Sequence, residues 1–134
     1  MIKQLAAIST ITLAIKSLLS SKPWKSKTPY KINDGYCDEF AQAVIGIVGD
    51  GAQDVEMANF TTNNDDDPVF DVKMLKRHWP KCVPPKGYTW ASLNALQLGG
   101  HVWITDNKKH YDAECPQGVE NMFDLPFWKA ALKD

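Results

Sequence analysis

HVWITDNKKHYDAE, residues 101–114, alternates apolar and polar side chains on either side of a turn-forming centre. Alternation is the pattern of a half-buried strand, and an Asp-Asn pair favours a turn because both residues tolerate positive φ. We therefore predict a β-hairpin with strands at 101–105 and 108–113. One face of it carries the apolar side chains Val102, Ile104, Tyr111 and Ala113. The other carries His101, Trp103, His110, Asp112 and Glu114. Ionisable side chains are seldom buried, so we expect this second face to form one wall of a cleft.

The length of the hairpin loop decides how His101 and Asp112 are paired. A two-residue turn at Asp106-Asn107 places them directly opposite each other, with Cβ atoms about 5 Å apart. A four-residue loop makes them diagonal neighbours on the same face and places Glu114 opposite His101. A three-residue loop would move Asp112 to the other face. The alternation of the sequence fits the first two cases.

A helix is predicted over residues 37–48, where apolar side chains recur at helical spacing. Cys37 opens this run, and Asn33 or Asp34 is placed to cap its start. A cysteine at a helix N-terminus has its thiolate stabilised by unpaired backbone N–H groups and by the helix dipole. The two acids that follow Cys37 would oppose this effect if they pointed toward the sulfur.

Cys37, His101 and Asp112 are together the parts that a cysteine hydrolase needs: a thiol nucleophile, an imidazole base and a carboxylate that orients the base. Each residue alone has a simpler explanation, as a core cysteine, a surface histidine or a strand-end acid. Their chain order and shared face favour a catalytic triad. Trp103 lies on the face of His101, where we expect it either to line a substrate groove or to pack at its edge.

Three motifs follow one another along the chain: GYCDEFA at 35–41, GHVWI at 100–104 and HYD at 110–112. Together they resemble the papain-like cysteine hydrolase superfamily, with its transglutaminase-like and NlpC/P60-type bacterial branches the closest in style. The resemblance covers about residues 33–49 and 99–114. It implies a central helix opened by Cys37 and packed on an antiparallel sheet. It also implies hydrolysis or transfer at an amide bond through a thioacyl-enzyme intermediate, with no cofactor.

The residues that would bind a substrate lie close to the triad in the sequence. Asn33 and Tyr36 precede the thiol, and we expect them to contact the substrate together with Trp103. Asn33, Tyr30, Trp24 or the backbone N–H of the nucleophile could donate to the oxyanion, and the spacing does not choose among them.

Two alternatives stay open. The first is a transglutaminase or glutamine deamidase, which shares the acyl chemistry. The second is a non-catalytic binding protein on the same fold, with an inert, buried Cys37. The expected partner is a peptide or protein substrate, with peptidoglycan stem peptides, a protein glutamine and an isopeptide bond all as candidates. Neither nucleic acid nor stable membrane insertion is expected.

Length predicts one domain over residues 1–134. The predicted elements, with the resemblance, make it α+β, with helices first and an antiparallel sheet in the second half. The 134 residues are 44% apolar, which is ordinary for a globular fold. Residues 2–20 carry an amphipathic stripe and predict an N-terminal helix packed on the domain, with an export signal as the lesser option. Residues 1–33 hold six lysines and no acid, whereas the remainder has a net charge of −7. We interpret the basic end as a solvated face that complements the acidic body.

The three cysteines cannot all pair with one another. A Cys82–Cys115 disulfide is arithmetically possible, but a reducing compartment is the simpler account and predicts a cytoplasmic protein, with export or the cell envelope as the alternative. A zinc site can be drawn from His78, Cys82, His110 and Cys115, but its loose spacing disfavours it, and no metal is predicted.

Two further helices are expected in the second half of the chain. One begins at Asp67 or Pro68 and is ended by Pro80. The other closes the chain over residues 125–132, with Pro126 near its first position.

Overall fold

The computed structural model describes residues 9–63 and 68–133, which form a mixed α+β fold. Its α-helices are α1 Thr10–Leu19, α2 Pro29–Asn33, α3 Cys37–Val48, α4 Val72–His78, α5 Trp90–Leu96 and α6 Pro126–Ala131. Its strands are β1 Gln53–Val55, β2 Thr61–Asn63, β3 Pro68–Phe70, β4 Trp103–Thr105, β5 His110–Asp112 and β6 Cys115–Val119. Three short 3-10 turns complete these elements: Trp24–Ser26, Met57–Phe60 and Met122–Asp124.

The main sheet has four antiparallel strands in the order β1-β4-β5-β6. Strands β2 and β3 pair separately as a small hairpin. The pairing of β5 with β6 shifts register between His110 and Asp112. At this irregularity Gly118 has a φ of +81°, and a Cβ placed there would lie 2.5 Å from the Tyr111 ring. Glycine is therefore required at this position by both the backbone conformation and the close approach.

The hairpin between β4 and β5 has the longer of the two loops that the alternation allows. Thr105 pairs with His110, so the loop runs from Asp106 to Lys109. The Asp106 carboxylate stabilises this loop by accepting 2.9 Å hydrogen bonds from the backbone N–H groups of Lys108 and Lys109. The predicted faces of the hairpin are therefore retained, while Glu114 lies in the turn between β5 and β6.

The first face of the hairpin packs against the N-terminal helices. Ile104, Tyr111 and Ala113 share one hydrophobic cluster with α1, α3 and Trp24. Trp24 meets Phe40 of α3 edge-on, with ring centroids 5.1 Å apart. The side chain of Thr12 in α1 also donates to the carbonyl of Pro116 in β6 at 2.7 Å. The N-terminal helices are thus fixed on one side of the sheet.

The second face is buried, and the prediction that it forms an open cleft wall is wrong. The side chains of His101, Trp103, His110 and Asp112 are each at most 2% exposed. A second hydrophobic cluster covers them, which includes aromatic side chains from distant segments: Phe60, Trp79, Phe123 and Trp128. These rings replace the water that the ionisable groups would otherwise contact.

The N-terminal helix is found at Thr10–Leu19, where Ser9 caps it by accepting from the N–H of Thr12. The predicted extension over residues 2–8 lies outside the described residues. No helix in the part of the chain that the structure describes has the length and apolar character to cross a membrane.

The predicted helix from Asp67 or Pro68 is wrong at its start. Pro68–Phe70 is strand β3, and α4 begins only at Val72 after Asp71, whose carboxylate caps it by accepting from the N–H of Met74. The closing helix is confirmed as α6, which has Pro126 in its first turn.

Candidate functional site

Cys37 is the first residue of α3 and is half-buried. Tyr36 occupies the N-cap position without a side-chain capping bond, so the predicted cap by Asn33 or Asp34 is wrong. The Sγ of Cys37 accepts a hydrogen bond of 3.4 Å from the backbone N–H of Val102. The first N–H groups of α3 have no partner within the helix.

His101 and Asp112 form a buried pair on the second face of the sheet. Their Nε2 and Oδ2 atoms are 2.9 Å apart, and the residues are 1% and 2% exposed. A carboxylate can only accept a hydrogen bond, so we assign a proton to Nε2 of His101. In the neutral ring the lone pair then lies on Nδ1. Asp112 thereby fixes the tautomer of His101 and leaves Nδ1 as the unprotonated nitrogen.

The residue that follows His101 contacts the thiol through its backbone. Within the described residues, Nδ1 of His101 is buried and has no hydrogen-bond partner. The next residue, Val102, supplies the N–H that contacts Cys37 Sγ. The thiol therefore contacts the backbone next to His101, just before the chain enters β4. Catalytic hydrogen bonds in free enzymes are often long and shorten only when substrate binds.

Aromatic rings enclose the imidazole of His101. Phe127 of α6 stacks on it with ring centroids 4.1 Å apart and an interplanar angle of 15°. Trp103 lies 5.8 Å away on a nearly parallel plane, and Trp128 meets the ring edge-on at 6.0 Å. This enclosure excludes water from the His101–Asp112 pair and strengthens its electrostatic attraction.

A second polar pair joins the two sides of the site. The Nδ2 of Asn33, at the end of α2, donates to Glu114 Oε1 at 2.9 Å. The backbone N–H of Glu114 in turn donates to Asp112 Oδ1 at 2.9 Å. Both oxygens of Asp112 are thus engaged, one by His101 and one by Glu114. One of the two loop lengths left open by the sequence predicts Glu114 opposite His101, but nothing in the sequence pattern indicated its contact with Asn33.

The structure separates the three residues that were expected to contact a substrate. Tyr36 is exposed beside Cys37, with the ammonium of Lys27 5.0 Å from the centre of its ring. Asn33 is buried and its amide is bonded to Glu114. Trp103 is fully buried, and its indole N–H donates to His110. Of the three, Tyr36 alone presents its side chain to solvent.

The four possible oxyanion donors are also distinguished. The amide of Asn33 is bonded, Trp24 is packed against Phe40, and the side chain of Tyr30 is 61% exposed. The backbone N–H of Cys37 belongs to the first turn of α3, where N–H groups have no acceptor inside the helix. Of the four groups, this N–H is the one at the start of α3.

The second histidine and the other two thiols are in different environments. Burial lowers the pKa of His110 to about 4, against the opposing effect of the Asp106 carboxylate. Burial also raises the pKa of Cys82 to about 12. Burial, followed by the charge of Asp112, raises the pKa of Cys115 to about 11. All three cysteines are free thiols. Cys37 is half-buried, whereas Cys82 and Cys115 are buried.

Metal ligands are not assembled in the described part of the chain. Within residues 9–63 and 68–133, no three His, Cys, Asp or Glu side chains are grouped as a metal ion would need. The set His78, Cys82, His110 and Cys115 therefore does not form a zinc site. A surface cleft of about 580 Å³ is lined by Lys81, Lys86, Lys109, Glu120 and Asp124. This cleft has mixed charge and includes none of the site residues.

Comparisons of the chain with protein-family models, with curated proteins and with solved structures find no match.

Proposed function

We propose that the chain is a cysteine hydrolase of papain-like architecture that acts on an amide or peptide bond. Cys37 is the nucleophile, His101 the general base and acid, and Asp112 the carboxylate that orients the base. One observation carries the proposal. His101 is held by Asp112 through Nε2, its Nδ1 has no partner, and the neighbouring peptide N–H contacts Cys37 Sγ.

Acylation begins with transfer of the Cys37 thiol proton to Nδ1 of His101. The thiolate then attacks the carbonyl carbon of the substrate, and the carbon–oxygen π electrons move to the oxygen. The N–H groups at the start of α3 are placed to stabilise this oxyanion. When the carbon–nitrogen bond breaks, the leaving amine takes the proton from Nδ1, and a thioester on Cys37 is left.

Deacylation repeats these steps with water. Nδ1 of His101 removes a proton from water as the oxygen attacks the thioester carbon. The carbon–sulfur bond then breaks, and the proton on Nδ1 returns to the sulfur. Asp112 stays ionised throughout and stabilises the imidazolium through Nε2. An amine in place of water would give the transfer product of a transglutaminase, and attack by water on a glutamine acyl-enzyme would give deamidation.

A binding protein with an inert thiol is the second candidate. The observation in its favour is the burial of His101, which is 1% exposed and stacked beneath Phe127. A binding protein, however, has no need of a carboxylate that fixes the tautomer of a buried imidazole. The unpartnered Nδ1 of His101 costs stability and has an obvious use only if it accepts a proton.

The pH dependence of Cys37 alkylation by iodoacetamide tests the proposal. We expect labelling of the wild-type protein to stay fast below about pH 7, because a thiolate–imidazolium pair supplies the reactive thiolate. The His101→Ala variant should label only as an ordinary thiol does, whereas His78→Ala, which changes an exposed histidine, should match the wild type. Identical profiles for wild type and His101→Ala would overturn the triad.

Substrate class is tested next with the same variants. Incubation with a mixture of peptides should release new amino termini if the bond cleaved is a peptide bond. Release of ammonia or formation of a cross-link identifies deamidation or transfer instead. Each activity should be absent from Cys37→Ala, since loss of the nucleophile costs several orders of magnitude in rate.

A further inference from the structure

We infer that Glu114 is a positioning residue, which acts with Asn33 to join the segment that carries the thiol to the segment that carries the oriented imidazole. This inference rests on the proposed function, because it concerns how the same site is assembled. Asn33 lies four residues before Cys37, and Glu114 lies two residues after Asp112. Their 2.9 Å hydrogen bond connects positions that are 81 residues apart in the chain.

The two ends of this hydrogen bond are attached closely to the reacting groups. On one side, the last turn of α2 leads directly into α3, because the N–H of Tyr36 donates to the carbonyl of Ile32 at 2.9 Å. On the other side, the backbone N–H of Glu114 donates to Asp112 Oδ1, and Asp112 Oδ2 is bonded to His101. A shift of Glu114 would therefore move the donor that orients Asp112.

The environment of the pair makes it a strong contact. Asn33 is 2% exposed, so its amide has no competing water, and Glu114 is only partly exposed. Hydrogen bonds to a carboxylate are stronger than those between neutral groups, and loss of one partner leaves the other buried and unpaired. Among the described residues, the other polar contact between residues 33–48 and residues 101–114 is the longer sulfur bond from the N–H of Val102.

The geometry also separates a positioning role from a catalytic one. The Oε1 of Glu114 is bonded to Asn33, and the backbone N–H rather than the carboxylate contacts Asp112. Glu114 therefore needs to supply an acceptor for Asn33 and does not need its charge. Glutamine can replace it, because the side-chain carbonyl of glutamine accepts the same bond.

The test is the pH profile of Cys37 alkylation in variants of the full chain, with iodoacetamide as the probe. We expect Glu114→Ala to lower the labelling rate at pH 6.5 by about tenfold and to move the profile toward that of an ordinary thiol. Glu114→Gln should stay within about threefold of the wild type. Glu120→Ala is the matched control, since Glu120 is an exposed carboxylate that pairs with Lys81 at 3.2 Å.

A swap of donor and acceptor makes the test independent of any one variant. Asn33→Asp should label as slowly as Glu114→Ala, because two carboxylates then face each other. The double variant Asn33→Asp/Glu114→Gln should recover the wild-type profile, since the new amide donates to the new carboxylate. Recovery of this kind reports a specific contact, which a general loss of stability does not produce.

The outcomes distinguish this inference from the proposed function. If His101→Ala slows labelling while Glu114→Ala and Asn33→Asp both follow the wild type, the triad stands and the positioning role is overturned. If the double variant labels no faster than Asn33→Asp, the positioning role is overturned as well. If His101→Ala itself follows the wild type, both proposals fail. Thermal unfolding by circular dichroism identifies any variant that is not folded, and the remaining variants then decide.

Discussion

The indole N–H of Trp103 donates a 2.9 Å hydrogen bond to Nδ1 of His110 in the core of the protein. The proton of the neutral His110 ring therefore lies on Nε2, which has no partner within the described residues. Trp79 lies against the same ring at 4.2 Å. Protonation of Nδ1 would place a second hydrogen against the indole donor, and burial already lowers the pKa of His110 to about 4.

We predict that this arrangement makes the protein less stable in acid. The unfolded chain binds a proton at His110 near pH 6.5 and the folded chain only near pH 4, so stability present above pH 6.5 is lost as the pH falls toward 4. The free energy of unfolding should fall by about 3 kcal/mol over this range. Urea unfolding between pH 7 and 4 measures it. His110→Gln should flatten the slope, whereas His78→Gln, at an exposed position, should not; equal slopes in both would contradict the prediction.

We predict that one of the three thiols is alkylated in the folded protein. Cys37 is half-buried, whereas Cys82 and Cys115 are buried and have pKa values raised to about 12 and 11. Intact mass after iodoacetamide treatment at pH 7.5 should show one added group, and treatment in guanidinium chloride should show three. A native protein that takes up two or more groups, or that is labelled elsewhere than at Cys37, would count against the description of the site.

We predict that Asp112→Asn slows Cys37 alkylation by at least about tenfold at pH 6 while the protein stays folded. The asparagine amide can donate to Nε2 of His101, which forces the ring proton onto Nδ1 and removes the acceptor for the thiol. The side-chain carbonyl can still accept from the N–H of Glu114, so the β5–β6 turn is retained. Asp50→Asn, at an exposed turn, is the control. An unchanged rate in Asp112→Asn would show that the tautomer of His101 is irrelevant to the thiol.

We predict that Gly118→Ala destabilises the protein by about 2 kcal/mol or more. Its φ of +81° is strained for alanine, and the new methyl group would lie 2.5 Å from the Tyr111 ring. Gly87→Ala shares the positive φ but meets no neighbouring atom, so it should cost about 1 kcal/mol. Gly46→Ala, in open space on α3, should stabilise by about 0.5–1 kcal/mol. Denaturant unfolding ranks the three, and a cost for Gly118→Ala no larger than for Gly87→Ala would exclude the steric contribution.

The parts of the fold that depend on residues close together in the sequence were predictable. The bounds of α3 follow from apolar spacing over 37–48, and the faces of the hairpin follow from alternation. The sequence pattern did not decide between a two-residue and a four-residue loop from β4 to β5, because either length places His101 and Asp112 on one face. The longer loop is stabilised by Asp106, whose side chain accepts from two N–H groups, and alternation carries no information about such bonds.

Burial of the site was not predictable, because the rings that cause it come from far along the chain. Phe127 and Trp128 lie on α6, which the sequence predicted as a helix without indicating its contact with His101. Asn33 was one of four candidate oxyanion donors, but it ends α2, a helix that the sequence pattern did not predict. That helix turns the amide toward Glu114. Contacts of this range depend on how layers pack and leave no periodic pattern.

The site residues come from two separate stretches of chain, one before residue 49 and one at 101–114, which meet only when the layers of the fold dock. A cut in the exposed turn at Asp50-Gly51 would give one fragment that holds Asn33 and the thiol and another that holds the imidazole and both acids. Neither fragment would contain all three residues of the proposed triad. Fragment complementation, followed by the return of fast thiol labelling on mixing, would then report assembly of the protein without any knowledge of its substrate.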